Sequence, residues 1–183
     1  MSVVGVLGGS FDPPHMGHLL LGAWALATGE IDTLLLVPVW AHAFDKKSAP
    51  FDDRVAMAKQ LAEELGPRAD VTELERDLNV PSRTLRTLQA LEKARPGDEL
   101  RLVVGEDILA EVDAWYCWDE VAAMAPPLVA GRLGGPPDSG RLRLADVSST
   151  EVRRRLAAGE DVSSLLPASV ARYVREHGLY GAA

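Results

Sequence analysis

The sequence has few of the features that would place a protein outside the cytoplasm or in a membrane. It contains one cysteine, Cys117, which excludes an internal disulfide framework and a cysteine-rich zinc site and is typical of a reducing compartment. No apolar run approaches the roughly 18 residues of a membrane span, and the N-terminus lacks the basic segment of an export signal. We therefore expect a cytoplasmic protein with no membrane partner.

Two common nucleotide-binding loops are also missing. No Gly-x-x-x-x-Gly-Lys-Ser/Thr segment follows a predicted strand, and the first loop contains no Gly-x-Gly-x-x-Gly. Positive charge is scarce, because 19 lysines and arginines face 27 aspartates and glutamates, for a net charge of −8. Such a surface repels nucleic acid and anionic lipid, so we expect no nucleic-acid partner, and any polyanion must be bound locally.

The pattern of apolar residues predicts a single α/β domain. With 183 residues, of which 47% are hydrophobic, the chain suits one domain with a full core. Roughly five or six strands alternate with helices, which is typical of a doubly wound, Rossmann-like parallel sheet. The predicted strands are Val3–Leu7, Thr33–Val37, Asp70–Leu74, Leu100–Val104, Leu128–Ala130 and Leu142–Leu144.

Helical periodicity and end signals predict the remaining elements. The predicted helices are Leu19–Ala27, Phe51–Leu65, Arg83–Ala94 with Ser82 as its cap, one that opens around Val147–Glu151 and runs through Leu156, and Pro167–His177. A turn-rich link is predicted at Gly131–Gly140.

The first predicted strand leads into a loop with two histidines. The loop reads Gly8-Gly9-Ser10-Phe11-Asp12-Pro13-Pro14-His15-Met16-Gly17-His18. Because it follows a strand and opens a helix, its backbone N–H groups and the positive end of the helix can bind phosphate. His15 and His18 would share one face of the first helical turn and could donate to one phosphate. The alternatives are solvated histidines in a capping turn, or a zinc site that is short of ligands.

A second candidate anion site lies near the C-terminus. Ser148, Ser149 and Thr150 begin a predicted helix, and Arg153 follows one turn later, which favours anion binding. The alternative is an ordinary capping box of Ser148 with Glu151. Arginines outnumber acidic residues in this region, which favours a polyphosphate ligand in an otherwise acidic chain. They are Arg132, Arg141, Arg143, Arg153, Arg154 and Arg155, against Asp138, Asp146 and Glu151.

Together, the two motifs resemble those of the nucleotidylyltransferase superfamily and, within it, of bacterial nicotinate-nucleotide adenylyltransferases. The likeness extends through Pro81-Ser82-Arg83-Thr84, Gly105-Glu106-Asp107, Trp115-Tyr116 and the segment Val174–Tyr180. It implies one nucleotidylyltransferase domain over residues 1–183, with a C-terminal helical part at about 148–183. The implied reaction transfers the adenylyl group of ATP to nicotinate mononucleotide, or to nicotinamide mononucleotide, in NAD biosynthesis.

The resemblance also implies roles for individual residues. His15, His18 and Arg153 would be catalytic, and Asp107 would bind the adenosine ribose. The residues implied to bind ATP are Gly8, Gly9, Ser10, Phe11, His15, His18, Gly105, Asp107, Ser148, Ser149, Thr150 and Arg153. The acceptor would contact Lys46, Thr84, Trp115 and Tyr116, with its pyridine ring on Trp115, whereas Trp118 is expected in the core. The implied metal is Mg²⁺ carried by ATP, with no protein side chain as ligand.

The sequence departs from the family pattern around the acceptor. The family's Pro-Pro-His-Lys run is replaced by Trp40-Ala41-His42-Ala43-Phe44-Asp45-Lys46-Lys47, where Lys46 or Lys47 would supply the basic contact. Arg83 stands in place of the family's tyrosine, and Glu106 in place of its alanine. Another phosphorylated acceptor, a cytidylyl transfer, and nucleotide binding without catalysis therefore stay open. A class I aminoacyl-tRNA synthetase is rejected, because the chain is too short for an anticodon domain.

Overall fold

The described residues form one six-stranded sheet in which every neighbouring pair is parallel. The structure, a computed structural model, describes residues 1–40, 48–78, 80, 82–109, 111–132, 143–145 and 147–182. The strands follow the order β3-β2-β1-β4-β5-β6. They are β1 (Val3–Gly9), β2 (Thr33–Pro38), β3 (Ala69–Val71), β4 (Glu99–Gly105), β5 (Pro127–Arg132) and β6 (Arg143–Leu144).

Helices cover both faces of this sheet. They are α1 (Met16–Ala27), α2 (Phe51–Leu65), α3 (Leu74–Leu78), α4 (Thr84–Ala94), α5 (Glu106–Leu109), α6 (Trp118–Met124), α7 (Ser149–Ala157) and α8 (Ala168–Glu176), with short 3-10 turns at Val112–Ala114 and Leu179–Gly181. Among the helices in the part of the chain that the structure describes, none combines the length and apolar character needed to cross a membrane.

Side chains of the central strands alternate between two separate hydrophobic cores, one on each face of the sheet. Val4 and Val6 of β1 pack with the buried leucines of α4, whereas Leu7 packs on the opposite face with α1 and α2. Successive residues of a strand point to opposite faces, so near-continuous apolar strands require helices on both sides. The predicted doubly wound parallel sheet is confirmed. A third cluster joins α2 to α7 and α8 through Met57, Val152 and Val170.

The sheet changes direction between β1 and β4. From β1 the chain proceeds outward through β2 and β3, and it then crosses to β4 on the other side of β1. The loops that follow β1 and β4 therefore diverge and leave a crevice at the carboxyl edge of the sheet, where ligands of such folds bind. This topology brings the loop at 8–18 and the segment after Gly105 to one place.

Two local predictions are corrected. The strand predicted at Asp70–Leu74 ends at Val71, because the Thr72 hydroxyl accepts a hydrogen bond from the Leu74 N–H and turns the chain into α3. Ser82 does not cap α4, since its hydroxyl donates to the carboxylate of Glu75, and Arg83 takes the N-cap position. A short helix, α5, follows β4 directly. The predicted link at 131–140 lies outside the described residues except for its first two positions.

Replacing Leu61 by alanine should lower the free energy of unfolding by about 2–5 kcal/mol, because Leu61 is completely buried in the core under α2 and the shorter side chain leaves a cavity. Urea denaturation followed by circular dichroism measures this change. The control, Glu63→Ala, removes an exposed side chain from the same helix and should cost less than about 0.5 kcal/mol. Equal costs would contradict the packing described here.

Candidate active site

A cavity of about 360 Å³ opens at the carboxyl ends of β1 and β4. Many of the residues predicted to bind ligand line it, namely Gly8, Gly9, Ser10, His18, Thr84, Gly105, Asp107 and Trp115. They come from four separate stretches of sequence, so the fold unites the predicted ATP loop with the predicted acceptor residues. Lys46, together with His42 and Lys47, lies outside the described residues.

The two histidines lie in contact at the start of α1, with their rings tilted by 38° to each other. His15 is the N-cap residue and is buried, and its ring centroid lies 3.9 Å from that of His18. The His15 backbone N–H donates to His18 Nδ1 at 3.2 Å. Because Nδ1 accepts this bond, the neutral His18 ring carries its proton on Nε2. His18, rather than His15, lines the cavity.

Glycine at position 9 lies close to His18. A Cβ added there would lie 3.6 Å from His18 Nε2, so this nitrogen and the backbone of β1 share the same corner of the cavity. Glycine at position 17 leaves space for the other histidine, because a Cβ added there would lie 3.0 Å from the His15 ring. A side chain at position 17 would therefore crowd the His15 ring, whereas a Cβ at position 9 would make an ordinary contact with His18.

Phe11 supports the histidines from inside the fold. Its backbone has a φ of 47°, in the left-handed region that non-glycine residues seldom adopt. Its side chain is completely buried, and the ring centroid lies 5.0 Å from that of His18. Predicted as an ATP-binding residue, Phe11 is placed by the structure beneath His18 and outside the cavity lining.

Asp12 connects three distant parts of the chain. Its carboxylate, in a residue only 1% exposed, accepts from the Ala49 N–H at 2.9 Å and from the Tyr180 hydroxyl at 2.8 Å. Arg153 Nη1 lies 3.4 Å from Asp12 Oδ2 and donates to the Asp12 carbonyl at 2.6 Å. Burial raises the pKa of the Tyr180 hydroxyl, and the adjacent Asp12 charge adds to the shift.

A second buried charge, Arg54 of α2, holds the loops around Asp12. The residue is 2% exposed, and its guanidinium donates to the carbonyls of Ser10 and Val39 at 2.8 Å and of Ala49 at 3.1 Å. Burial lowers the pKa of Arg54, and the negative charge of Asp12 opposes that shift. Arg54 therefore ties the loops after β1 and β2 to the start of α2.

The C-terminal motif docks against the first loop. Ser149 Oγ donates to the Pro13 carbonyl at 3.0 Å, and Arg153 Nη2 donates to Thr150 Oγ1 at 3.2 Å. Ser148 caps α7 by accepting from the Glu151 N–H at 3.3 Å. The serine half of the predicted capping box is thus formed, and the N-terminus of α7 also lies beside the histidine loop. Ser148, Ser149, Thr150 and Arg153 do not line the main cavity.

Two of the arginines in this region, Arg154 and Arg155, are paired with carboxylates. Arg154 pairs with Glu151 and Glu160, both at 2.8 Å, and Arg155 pairs with Glu151 at 2.7 Å. Hydrogen bonds from the two arginines lower the pKa of Glu151 to about 2. Arg154 and Arg155 are therefore paired with carboxylates of α7 and of the segment that follows it. The described part of the chain does not include Arg141 or the side chains of Arg132 and Arg143.

Two of the predicted acceptor residues, Thr84 and Trp115, line the cavity, whereas Tyr116 does not. Trp115 lines it and meets Trp118 edge to face, with ring centroids 5.5 Å apart. Trp118 packs against the core, as expected, and Trp115 partly does so as well. Tyr116 is 53% exposed and stands beside the Arg83 guanidinium, which lies 5.9 Å from the ring centroid.

Glu75 is a buried carboxylate that also lines the cavity. It accepts from the Trp40 N–H at 2.9 Å, from the Thr87 hydroxyl at 2.7 Å and from the Ser82 hydroxyl. It thereby joins the end of β2 to the start of α4. No motif around Glu75 indicates that this carboxylate is buried at the site. Arg54 has a weak signal of burial, because it lies at helical spacing from the apolar residues Ala58 and Leu61.

Comparisons with known proteins agree with this arrangement. A sequence model of the cytidylyltransferase-like family matches residues 6–155. A protein of Anaeromyxobacter sp. (strain K), named "Probable nicotinate-nucleotide adenylyltransferase", is 46% identical, and the match covers 97% of this chain and 96% of that protein. A protein of the same name from Myxococcus xanthus (strain DK1622) is 38% identical, with 97% and 94% covered.

Solved structures show the same fold at lower identity. Plasmodium falciparum nicotinic acid mononucleotide adenylyltransferase complexed with NaAD superposes with a TM-score of 0.83 at 16% identity, covering 99% of this chain and 98% of that one. The same enzyme complexed with APC gives a TM-score of 0.79 at 14% identity, with the same coverage.

Replacing Arg54 by methionine should lower the free energy of unfolding by at least about 3 kcal/mol, because three partly buried carbonyls lose hydrogen bonds from a charged donor, each worth about 1.5–3 kcal/mol. Denaturant titration measures the loss. Arg172→Met, at an exposed position of α8, serves as the control and should change the free energy of unfolding by less than about 0.5 kcal/mol. A wild-type midpoint for Arg54→Met would rule out the bracing role.

Proposed function

Because the chain belongs to the cytidylyltransferase-like family, and within it to the nicotinate-nucleotide adenylyltransferases, we propose that it transfers the adenylyl group of ATP to nicotinate mononucleotide. The products are the dinucleotide and pyrophosphate. The observation that carries the proposal is the cavity that brings Gly9 and His18 together with Thr84 and Trp115. One space thus adjoins a phosphate-binding loop and an aromatic surface.

The reaction needs two phosphates held in line. An oxygen of the acceptor phosphate attacks the α-phosphorus of ATP, a new P–O bond forms, and the bond to the bridging oxygen of pyrophosphate breaks. The chain has only to position the reactants and to stabilise the charge that spreads onto the α-phosphoryl and pyrophosphate oxygens. No covalent intermediate with the protein is required.

His18 is suited to donate to the reacting phosphates. Its Nδ1 is occupied by the His15 N–H, so Nε2 is the nitrogen that can donate beside Gly9. His15 supports this orientation from a buried position. We assign Gly8, Gly9 and Ser10 to the same phosphate-binding loop, in which backbone N–H groups approach the ligand closely.

The N-terminus of α7 supplies the opposite side of the triphosphate site. Helix N-termini attract anions through unpaired N–H groups and the helix dipole. The bonds from Ser149 and Arg153 to the first loop support this placement, because they bring the start of α7 next to the histidines. Ser148 and Thr150 belong to the same turn. Gly105 and Asp107, which line the cavity after β4, are assigned to the adenosine.

Magnesium is proposed to arrive with ATP. The described residues contain no group of three or more His, Cys, Asp or Glu side chains placed to hold a metal ion. Mg²⁺ commonly keeps several waters and is bound through substrate phosphates with few protein ligands, which is the basis for this proposal. When bound, the ion would neutralise phosphate charge. We place the reaction in the cytoplasm, a proposal supported by the single cysteine.

We expect the protein to release pyrophosphate from Mg-ATP in the presence of nicotinate mononucleotide. His18→Ala should lower kcat/KM by about 100-fold or more, the usual effect of removing a donor to developing charge. The measurement is a coupled pyrophosphate assay over a panel of nicotinate mononucleotide, nicotinamide mononucleotide, phosphopantetheine and other small phosphates, with CTP tested in place of ATP.

The control is His177→Ala, which removes a histidine at the far end of α8 and should leave kcat/KM within about twofold. Turnover with a different acceptor alone would favour another transferase of the family. ATP binding without turnover on any acceptor would indicate a nucleotide-binding module. Full activity of His18→Ala would overturn its assigned role.

A further inference from the structure

Arg83 presents a positive charge at the edge of the cavity. It is exposed, lines the cavity, and lies just before α4. Among the described residues its guanidinium forms no ion pair, and it lies 5.9 Å from the centre of the Tyr116 ring. Two other cations near the site already have partners. Arg54 donates to the Ser10 carbonyl, and Arg153 donates to the Asp12 carbonyl and pairs with its carboxylate. Arg83 can therefore bind a ligand without giving up an ion pair.

The first turn of α4 adds to the positive character of this corner. No side chain caps the helix, because Arg83 occupies the N-cap position and the Ser82 hydroxyl is directed to Glu75. Glu75 also accepts from Thr87 within α4, which fixes the start of the helix against the end of β2. Thr84, the first residue of the helix, lines the cavity. The helix dipole and the Arg83 guanidinium thus favour an anion at the same place.

The part of the cavity near Arg83 and Thr84 also contains an aromatic surface, and few acidic residues there would repel an anion. Trp115 lines the same cavity, and its ring is held edge to face by Trp118. The acidic residues that line the cavity are Glu75 and Asp107. Glu75 is already satisfied by three donors, and Asp107 stands after β4, on the side assigned to adenosine. A flat ring that bears a carboxylate matches a cavity lined by both an indole and a guanidinium.

We propose that Arg83 is a specificity-determining residue that selects an acceptor with a pyridine carboxylate over one with the neutral amide. The proposal rests on the proposed function. Arg83 donates to the carboxylate of nicotinate mononucleotide while the ring lies against Trp115. The amide of nicotinamide mononucleotide carries no charge and presents its own N–H donors, so it leaves the guanidinium with a poorer partner.

The test compares kcat/KM for nicotinate and nicotinamide mononucleotides in the wild type, Arg83→Gln and Arg83→Lys. Loss of a hydrogen bond between charged groups should lower kcat/KM for the acid by about 10- to 100-fold in Arg83→Gln, mainly through KM. The value for the amide should change by less than about threefold. Arg83→Lys keeps the charge and should retain most of the preference for the acid.

Arg86→Gln is the matched control, since this arginine is exposed one turn further along α4 and does not line the cavity. It should leave both acceptors unaffected. An active wild type whose acid-to-amide ratio is unchanged in Arg83→Gln would overturn the role of Arg83 alone. So would an equal loss with both acceptors. A wild type inactive with both mononucleotides would instead overturn the proposed function, and the role of Arg83 with it.

Discussion

One buried carboxylate, that of Asp12, holds together the segments from which the candidate active site is built. It accepts hydrogen bonds from the Ala49 N–H, just before α2, and from the Tyr180 hydroxyl near the C-terminus, and it pairs with the Arg153 guanidinium of α7. Burying a charge is costly unless it is paired and hydrogen-bonded, so displacing any of these segments would leave an unsatisfied group inside the protein. Arg54 imposes the same constraint with opposite charge, because its donors fix the carbonyls of the loops after β1 and β2.

This arrangement explains how an acidic protein can bind a polyphosphate. Arg154 and Arg155 face carboxylates of their own, so the candidate site does not depend on a basic surface there. It depends on two helix N-termini, those of α1 and α7, brought side by side, and on His18, whose donor nitrogen is fixed by a backbone bond. Fixed dipoles in a partly buried crevice stabilise phosphate charge without a large field over the whole surface.

The sequence predicted the features that depend on local pattern. Apolar runs such as Thr33–Val37 predict strands of a parallel sheet. The histidine and serine motifs predict both candidate phosphate-binding segments. Asp12 and Arg54 could not be assigned, because their partners lie far away in sequence, up to 168 residues for Tyr180. Ser82 was a plausible cap by position, but Glu75 competes for its hydroxyl, and only tertiary packing decides between the two acceptors.

Asp12 keeps the second candidate phosphate-binding segment in place against the first. The most direct test is the calorimetric dissociation constant for Mg-ATP of Asp12→Asn, compared with Asp119→Asn at an exposed position of α6. The substitution places an amide opposite Arg153, and ATP binding should weaken by about 10-fold or more, the loss expected for a charged hydrogen bond, while circular dichroism shows a folded protein. A folded Asp12→Asn protein that binds ATP as tightly as the Asp119→Asn control would contradict it.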